Sequence, residues 1–342
     1  MCFFWAGAQT ERNYFAPGQV WPDSAGEPIQ AHGGGVLLKD GVYYWYGENK
    51  SLGGSNRVGI SCYSSTDLYR WKNEGVVLPK DTLPEQYRDR GVCERPKVLF
   101  NSRTGRYVMW AHMDGNGYKL AEAGVSVADK PTGPFRFLRS FRPVKYDSGQ
   151  DLECCSQKEL GGTYRDMNLF LDDDGRAYTF YASESNFTMY VVRLNAEFTG
   201  VEEPAVKGKT WDRILVRRQR EAPAPFKYNG RYYLFTSGCT GWAPNQATYS
   251  VASNILGPWT TPEENPMVGP DAEKTFLSQS TFVLPAPGKR PGGFIVMLDR
   301  WNPRQLGDSR YVWLPLMMNQ EGTVRVEWRD RWDLSVFDGP QR

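Results

Sequence analysis

One pattern recurs five times along this chain and limits the folds open to it. A hydrophobic run meets a polar turn ending in Gly, and an aromatic-rich β run follows. The second runs read GVYYWYGE, GRYVMWAHMD, GRAYTFYASE, GRYYLFTSG and GGFIVMLDRW. Their leading runs are VLLKDG, VLFNSRTG, LFLDDDG, PFKYNG and VLPAPGKRPGG. Asp-Gly or Asn-Gly at the bend is a hairpin signature, because both residues tolerate positive φ. Each hairpin is followed by a third β run, such as VGISCYSS or ATYSVAS, and GPF, GPW or DLYRW then reads as the turn into an outer strand. The units are spaced roughly 55 to 70 residues apart, the period of four-stranded propeller blades. A lone blade cannot bury both faces, so neighbours must cover it. The expectation is an all-β, five-bladed β-propeller. A β-sandwich would not need the same unit five times.

The predicted catalytic domain spans residues 12–340, and residues 12–24 are candidates for a closing strand beside Val324–Phe337. Residues 1–11 read either as the remnant of a signal peptide, given Ala6-Gly7-Ala8, or as an ordinary terminus. The first reading implies a secreted or periplasmic protein. No stretch of 18 apolar residues occurs, so no membrane partner is expected.

Net charge is +2, and the basic clusters RRQR and RDRW are short, so no nucleic-acid partner is expected. A monomer is expected. The six cysteines show no metal-ligand spacing and there are two histidines, so neither a metal nor another cofactor is expected. Adjacent Cys154 and Cys155 read as free thiols rather than a strained disulfide. Aromatics are abundant, with 12 Trp, 19 Tyr and 17 Phe. Flat rings suit sheet packing and also the C–H faces of sugars. Most are expected in the core.

In a propeller, polar residues at the start of each inner strand converge on the axis. The candidates are Gln30 and His32 in QAHGGGVLL, Glu94 in CERPKVLF, Asp166 in YRDMNLFLD, Glu221 in REAPAPFKYNG and Gln279 in SQSTFVLP. They read as a register-matched set. Glycoside hydrolysis needs a carboxylic acid to protonate the leaving oxygen and a second group acting on water or on the sugar. Glu221, beside Ala222-Pro223-Ala224, sits in an apolar run that would keep it neutral, and Asp166 could supply a like charge.

The ordered strings AHGGGVLLKDGVYYWYGENK, CERPKVLF, YRDMNLFLDDDG, REAPAPFKYNGRYYLFTSGCTGWAPNQA, TFLSQSTFVLP and DRWNP make the chain resemble glycoside hydrolase family 43, in its exo-β-1,3-galactanase branch. The resemblance implies a pocket that removes galactose from the non-reducing end of β-1,3-galactan, the backbone of type II arabinogalactan, with inversion. It implies Glu221 as general acid, Asp166 as the carboxylate tuning it, and Glu94, Glu48, Tyr118 and Thr240 as sugar ligands. Most of the wider family carries an aspartate base in the first blade, where this chain reads IQAHGGG. In the galactanase branch a glutamine corresponding to Gln279 acts on the water, through an imidic acid tautomer or by orienting it.

Residues 144–163 form a longer segment than usual and are expected to make a rim loop. The partner is thus an oligosaccharide or polysaccharide. The alternatives are a β-xylosidase or α-L-arabinofuranosidase on the same scaffold, or a sugar-binding propeller without catalysis.

Overall fold

A computed structural model describes residues 12–54, 57–144, 162–287 and 292–339. Among these residues five sheets follow one another along the chain, each built outward from the axis and antiparallel but for one added edge strand. The first blade is β1 (His32–Lys39), β2 (Val42–Asn49), β3 (Gly59–Ser65) and β4 (Lys72–Pro79). The second is β5 (Val92–Asn101), β6 (Arg106–Asp114), β7 (Glu122–Ala128) and β8 (Arg136–Phe141). The third is β9 (Arg165–Leu171), β10 (Ala177–Ser183), β11 (Thr188–Arg193) and β12 (Trp211–Ile214). The fourth is β13 (Arg220–Tyr228), β14 (Arg231–Gly238) and β15 (Thr248–Ala252). The fifth is β17 (Gln279–Pro285), β18 (Gly293–Arg300), β19 (Arg310–Met318) and β20 (Val324–Glu327). The innermost strands β1, β5, β9, β13 and β17 touch their neighbours in a closed ring, so the fold is a five-bladed propeller.

The turn chemistry explains the hairpins. Asp40 and Gly41 have φ of 52° and 79°, and Asn229 and Gly230 have 48° and 72°. Positive φ at both central residues is the type I′ turn, whose twist matches the strands it joins.

Two outer edges depart from the expected four-strand unit. In the fourth blade the outer strand shrinks to a reciprocal bridge between Val251 and Thr260. Pro262 follows two residues later and has no N–H to extend the pairing. In the fifth blade, β16 (Met267–Val268) adds a parallel strand outside β20. The expected closing contact is present as a bridge from Phe15 to Trp332, whose rings stack at 4.2 Å. Trp21, Trp45, Trp71 and Trp313 are buried in the same cluster, which seals the first blade against the last.

One irregularity is common to every innermost strand. The ladder gains an extra residue between His32 and Gly35, Glu94 and Lys97, Arg165 and Asn168, Glu221 and Ala224, and Ser280 and Phe282. The residue entering the bulge has positive φ in four blades: Gly33 (60°), Arg95 (52°), Asp166 (42°) and Ala222 (52°). A bulge bends its strand and re-aims the side chains beside it.

The bulges turn backbone carbonyls toward the axis, where polar side chains satisfy them. Lys97 Nζ donates to Gly33 O (2.8 Å) and Arg95 O (3.2 Å). Asn168 Nδ2 donates to Pro223 O (2.8 Å) and Thr281 O (2.9 Å). The blades are thus stitched together below the point where the candidate residues emerge.

Candidate active site

The starts of β5, β9, β13 and β17, with the end of β2, surround a cavity of about 620 Å³. Its lining includes Glu48, Glu94, Tyr118, Asp166, Glu221 and Gln279, six of the residues singled out in the sequence. Their convergence depends on the bulges. Glu94, Arg165 and Glu221 occupy equivalent register positions, which puts Asp166 one residue late and Gln279 one residue early. Strict alternation would turn a one-residue offset to the opposite face. The candidates are therefore not matched residue for residue, and the bulge at Asp166 accommodates its offset.

Glu221 is the best-defined group. Its Oε1 accepts from Gln279 Nε2 at 3.0 Å and its Oε2 from Asn186 Nδ2 at 3.1 Å. Two amides from the flanking blades thus fix both oxygens. A carboxyl proton held there has no acceptor in either amide N–H₂ and must point elsewhere. Burial, reinforced by the charge of Asp166, pushes the Glu221 carboxyl up to about 8. Such a group can donate a proton near neutral pH.

Arg95 ties the other groups together. Its guanidinium donates from Nε to Asp166 Oδ1 (2.9 Å), from Nη2 to Gln279 Oε1 (2.5 Å) and from Nη1 to Ser280 O (3.0 Å). Its backbone N–H donates to Glu48 Oε1 at 3.2 Å. The planar fork suits this multiple bonding, which an ammonium would not reproduce. Gln279 receives a second donor on Oε1, from Trp301 Nε1 at 2.9 Å, and gives Nε2 to Ser237 Oγ at 3.0 Å as well.

Glu48 pairs with buried Lys50, Nζ to Oε2 at 2.6 Å. Close neighbours explain the run Gly33-Gly34-Gly35, the last of which would set a Cβ 2.6 Å from Lys97 Cδ. A Cβ on Gly33 would lie 2.6 Å from Glu48 Oε1, and one on Gly34 would lie 2.0 Å from Tyr46 O. At the bulge position where the third blade carries Asp166, the first blade has no side chain, and a carboxylate from β2 abuts the vacant Cβ position.

Glu94 accepts from Tyr118 Oη at 2.6 Å. Burial works against its charge, but the hydrogen bond and charge of His112 win and hold it down at about 2. Tyr118 is itself held by Arg165, which lies over its ring at 5.0 Å and donates to its carbonyl at 2.7 Å.

Two expected ligands do not line this cavity. His32 is fully buried in the seam between the first and fifth blades, stacked on Tyr311 at 4.9 Å, and burial pushes its imidazole down to about 3. The β1 bulge follows His32 immediately, and a Cβ on Gly33 beyond it would meet Glu48, which does line the cavity. Thr240 spends its hydroxyl inside its own loop, donating to Ala243 O (2.6 Å) and accepting from Asn245 Nδ2 (2.7 Å). It shapes the loop that presents Gly241 and Trp242 to the cavity. Gln30 likewise points away, to Gly307 O.

The lining also includes Lys50, Arg95, Arg165, Asn186, Cys239, Trp242 and Trp301, none of which the sequence singled out as a ligand. All of them but Asn186 did lie inside quoted motifs, Arg95 in CERPKVLF and Trp301 in DRWNP among them. Asn186 carried no such signal: it sits on a three-residue run of positive φ, Glu184 to Asn186, that only the folded chain reveals. The 144–163 segment, with Cys154 and Cys155, falls almost wholly outside the described residues, as do residues 1–11. Among the described residues, no group of three or more His, Cys, Asp or Glu could hold a metal ion.

Comparison with known proteins shows the family. The model of glycosyl hydrolases family 43 matches residues 35–280. The chain belongs to glycoside hydrolase family 43. Among solved structures of the family, a β-1,3-galactosidase bound to galactodeoxynojirimycin is 41% identical, covering 93% of this chain and all of the other, with a TM-score of 0.84. The exo-β-1,3-galactanase of Phanerochaete chrysosporium with β-1,3-galactotriose is 35% identical over 94% of this chain, with a TM-score of 0.80. That of Clostridium thermocellum is 34% identical over 95%, with a TM-score of 0.82. This chain spans 68% of each of those two galactanase chains. A β-D-galactofuranosidase of Aspergillus niger is 24% identical over 253 residues, 71% of this chain and 67% of that protein. The protein is thus a family 43 glycoside hydrolase.

Proposed function

We propose that this family 43 hydrolase releases galactose from the non-reducing end of β-1,3-galactan, with inversion. The observation that carries the reading is Glu221: a buried carboxyl, raised by burial and by Asp166, facing a cavity also lined by Glu48, Glu94 and Tyr118. The named activities of the structures 34–41% identical to this chain support galactose as the sugar.

In this reading Glu221 protonates the glycosidic oxygen as the bond to the anomeric carbon breaks. Asp166 keeps that proton in place through its charge and is itself anchored by Arg95. Glu48 and Glu94 accept hydrogen bonds from the sugar hydroxyls, and Tyr118 braces Glu94. Gln279 has all four of its hydrogen-bonding positions filled, so in this reading it turns to the attacking water only when the bound sugar displaces its contact with Glu221. Inversion would require acid and water-activating group to stand about 6.5–9.5 Å apart once a sugar and a water occupy the site.

The test is hydrolysis of β-1,3-galacto-oligosaccharides alongside an aryl β-xyloside and an aryl α-L-arabinofuranoside, with the first-formed anomer read by proton NMR. Galactose released from the first substrate alone, as the α-anomer, is the expected result. Hydrolysis of the pentosides instead would replace the galactanase reading. Binding without hydrolysis of any of them would leave a sugar-binding propeller.

A further inference from the structure

His112, on β6, stands directly behind Glu94. It opposes Glu94 across the β5–β6 ladder, and its ring is fully buried. Nδ1 lies 3.3 Å from Glu94 Oε2, and Nε2 lies 3.5 Å from Asp114 Oδ2. Asp114 is two residues along the same strand, hence on the same face.

The two ring nitrogens therefore both face carboxylates. An ionised carboxylate only accepts hydrogen bonds, and a neutral imidazole has one N–H and one lone pair. Either neutral tautomer would press a lone pair against a buried carboxylate. The imidazolium alone presents an N–H to both, with Nε2 at ion-pair distance from Asp114.

The surrounding charges are consistent with that state. Asp114 Oδ1 is occupied by the backbone N–H groups of Gly115 (2.9 Å) and Leu120 (2.7 Å), which favour its ionised form. Arg165 approaches Asp114 Oδ2 at 3.8 Å from β9. The Tyr118 hydroxyl, bonded to Glu94, lies 3.5 Å from Nδ1. From the first blade, Lys50 favours the charge on Glu94, while Glu48 carries a like charge. Across β7 the register partner of His112 is Ala123, which carries no charge.

We propose that His112 is a positioning residue whose imidazolium, pinned between Asp114 and Glu94, keeps Glu94 ionised and fixed, so that Glu94 meets the sugar as a hydrogen-bond acceptor only. The proposal rests on the reading of the cavity as a sugar pocket. Its consequence is an affinity for substrate that does not fade as the solution turns mildly acidic. Burial and the nearby Glu48 charge would otherwise favour protonation of Glu94 in that range.

Two measurements test it. Ring carbon and nitrogen NMR of the histidine-labelled protein follows two imidazoles, since the chain has two histidines, and the His112→Gln spectrum assigns them. His112 is expected to remain an imidazolium through neutral pH and to lose its proton near 9, with His32 neutral throughout that range. A neutral His112 ring at pH about 7, near the ordinary histidine midpoint, would overturn the proposal.

The second measurement is KM for β-1,3-galactobiose against pH. The wild-type KM is expected to stay flat from about pH 7 to about pH 4.5, while that of His112→Gln rises about tenfold or more over the same range, as the hydrogen bond from a sugar hydroxyl to a charged acceptor is lost. A KM raised equally at every pH would mean that His112 only fills space, and would overturn it. An imidazolium signal combined with a flat KM in the variant would keep the ion-pair clamp but remove Glu94 from sugar binding. That outcome overturns the reading of the pocket rather than the state of His112.

Discussion

The Gln279 amide donates to the Glu221 carboxyl, Nε2 to Oε1 at 3.0 Å, while its own oxygen receives Arg95 and Trp301. The two donors on Oε1 settle which way the amide faces, since the flipped amide would set N–H₂ against N–H. They also oppose an imidic acid tautomer, whose O–H would point at two donors and find no acceptor. In this geometry Gln279 is an ordinary amide whose four hydrogen-bonding positions are all filled.

Glu221→Gln removes the proton donor but keeps the shape. Turnover of β-1,3-galactobiose is expected to fall by about 10²–10⁴-fold, the usual contribution of a general acid. An aryl galactoside whose leaving group needs no protonation should lose far less. Near-wild-type kcat on the disaccharide would refute the assignment of the acid.

Activity is expected to decline as pH rises through about 8, where Glu221 gives up its proton. The same shift has a stability consequence. The folded state holds this proton more tightly than the unfolded chain does, so the contribution is fully present below the ordinary value of 4.5 and is lost as pH rises through about 8. Asp166→Asn removes a like charge, so the alkaline limb of kcat should move to lower pH. Because burial is the larger cause, it should stay above 4.5. A pH–rate profile of both proteins checks this, and an unmoved limb would remove Asp166 from its tuning role.

Arg95→Met should be the most damaging single change in the pocket wall. It strips the bonds to Asp166, Gln279 and Ser280 O and leaves buried carboxylates uncompensated. Breaking a buried pair in this way typically costs about 3–5 kcal/mol. Urea denaturation should show a loss of that order, and Arg95→Lys should recover only part of it. A loss below about 1 kcal/mol, the range of exposed ion pairs, would show that the network contributes little to the fold.

Gly33→Ala tests why the first blade lacks a side chain at its bulge. The added methyl would sit 2.6 Å from Glu48 Oε1 at a φ of +60°. The backbone strain alone should cost about 1–2 kcal/mol. Displacing Glu48 should raise KM more than it lowers kcat. A variant with unchanged KM would place Glu48 outside the sugar contacts.

The repeats, the hairpin turns and the closing contact were legible in the chain because they rest on local rules. Asp-Gly and Asn-Gly demand positive φ, and a β-rich unit that recurs along the chain demands neighbours. Glu221, Asp166, Glu94, Glu48, Tyr118 and Gln279 were legible as an ordered set of motifs, and all six line the cavity. His32 and Thr240 were not separable from them by sequence, because which way a side chain points after a bulge or within a loop depends on what packs against it.

Composition and local pattern thus determined five blades, a ring of polar strand starts and a glutamate in an apolar stretch. The tertiary structure decided what those groups touch. Arg95 meets Asp166 across 71 positions and Gln279 across 184. Two carboxylates close on His112, one from its own strand and one from the neighbouring β5. Contacts of that range, and the low-dielectric surroundings that give them their strength, exist only once the blades have closed on one another.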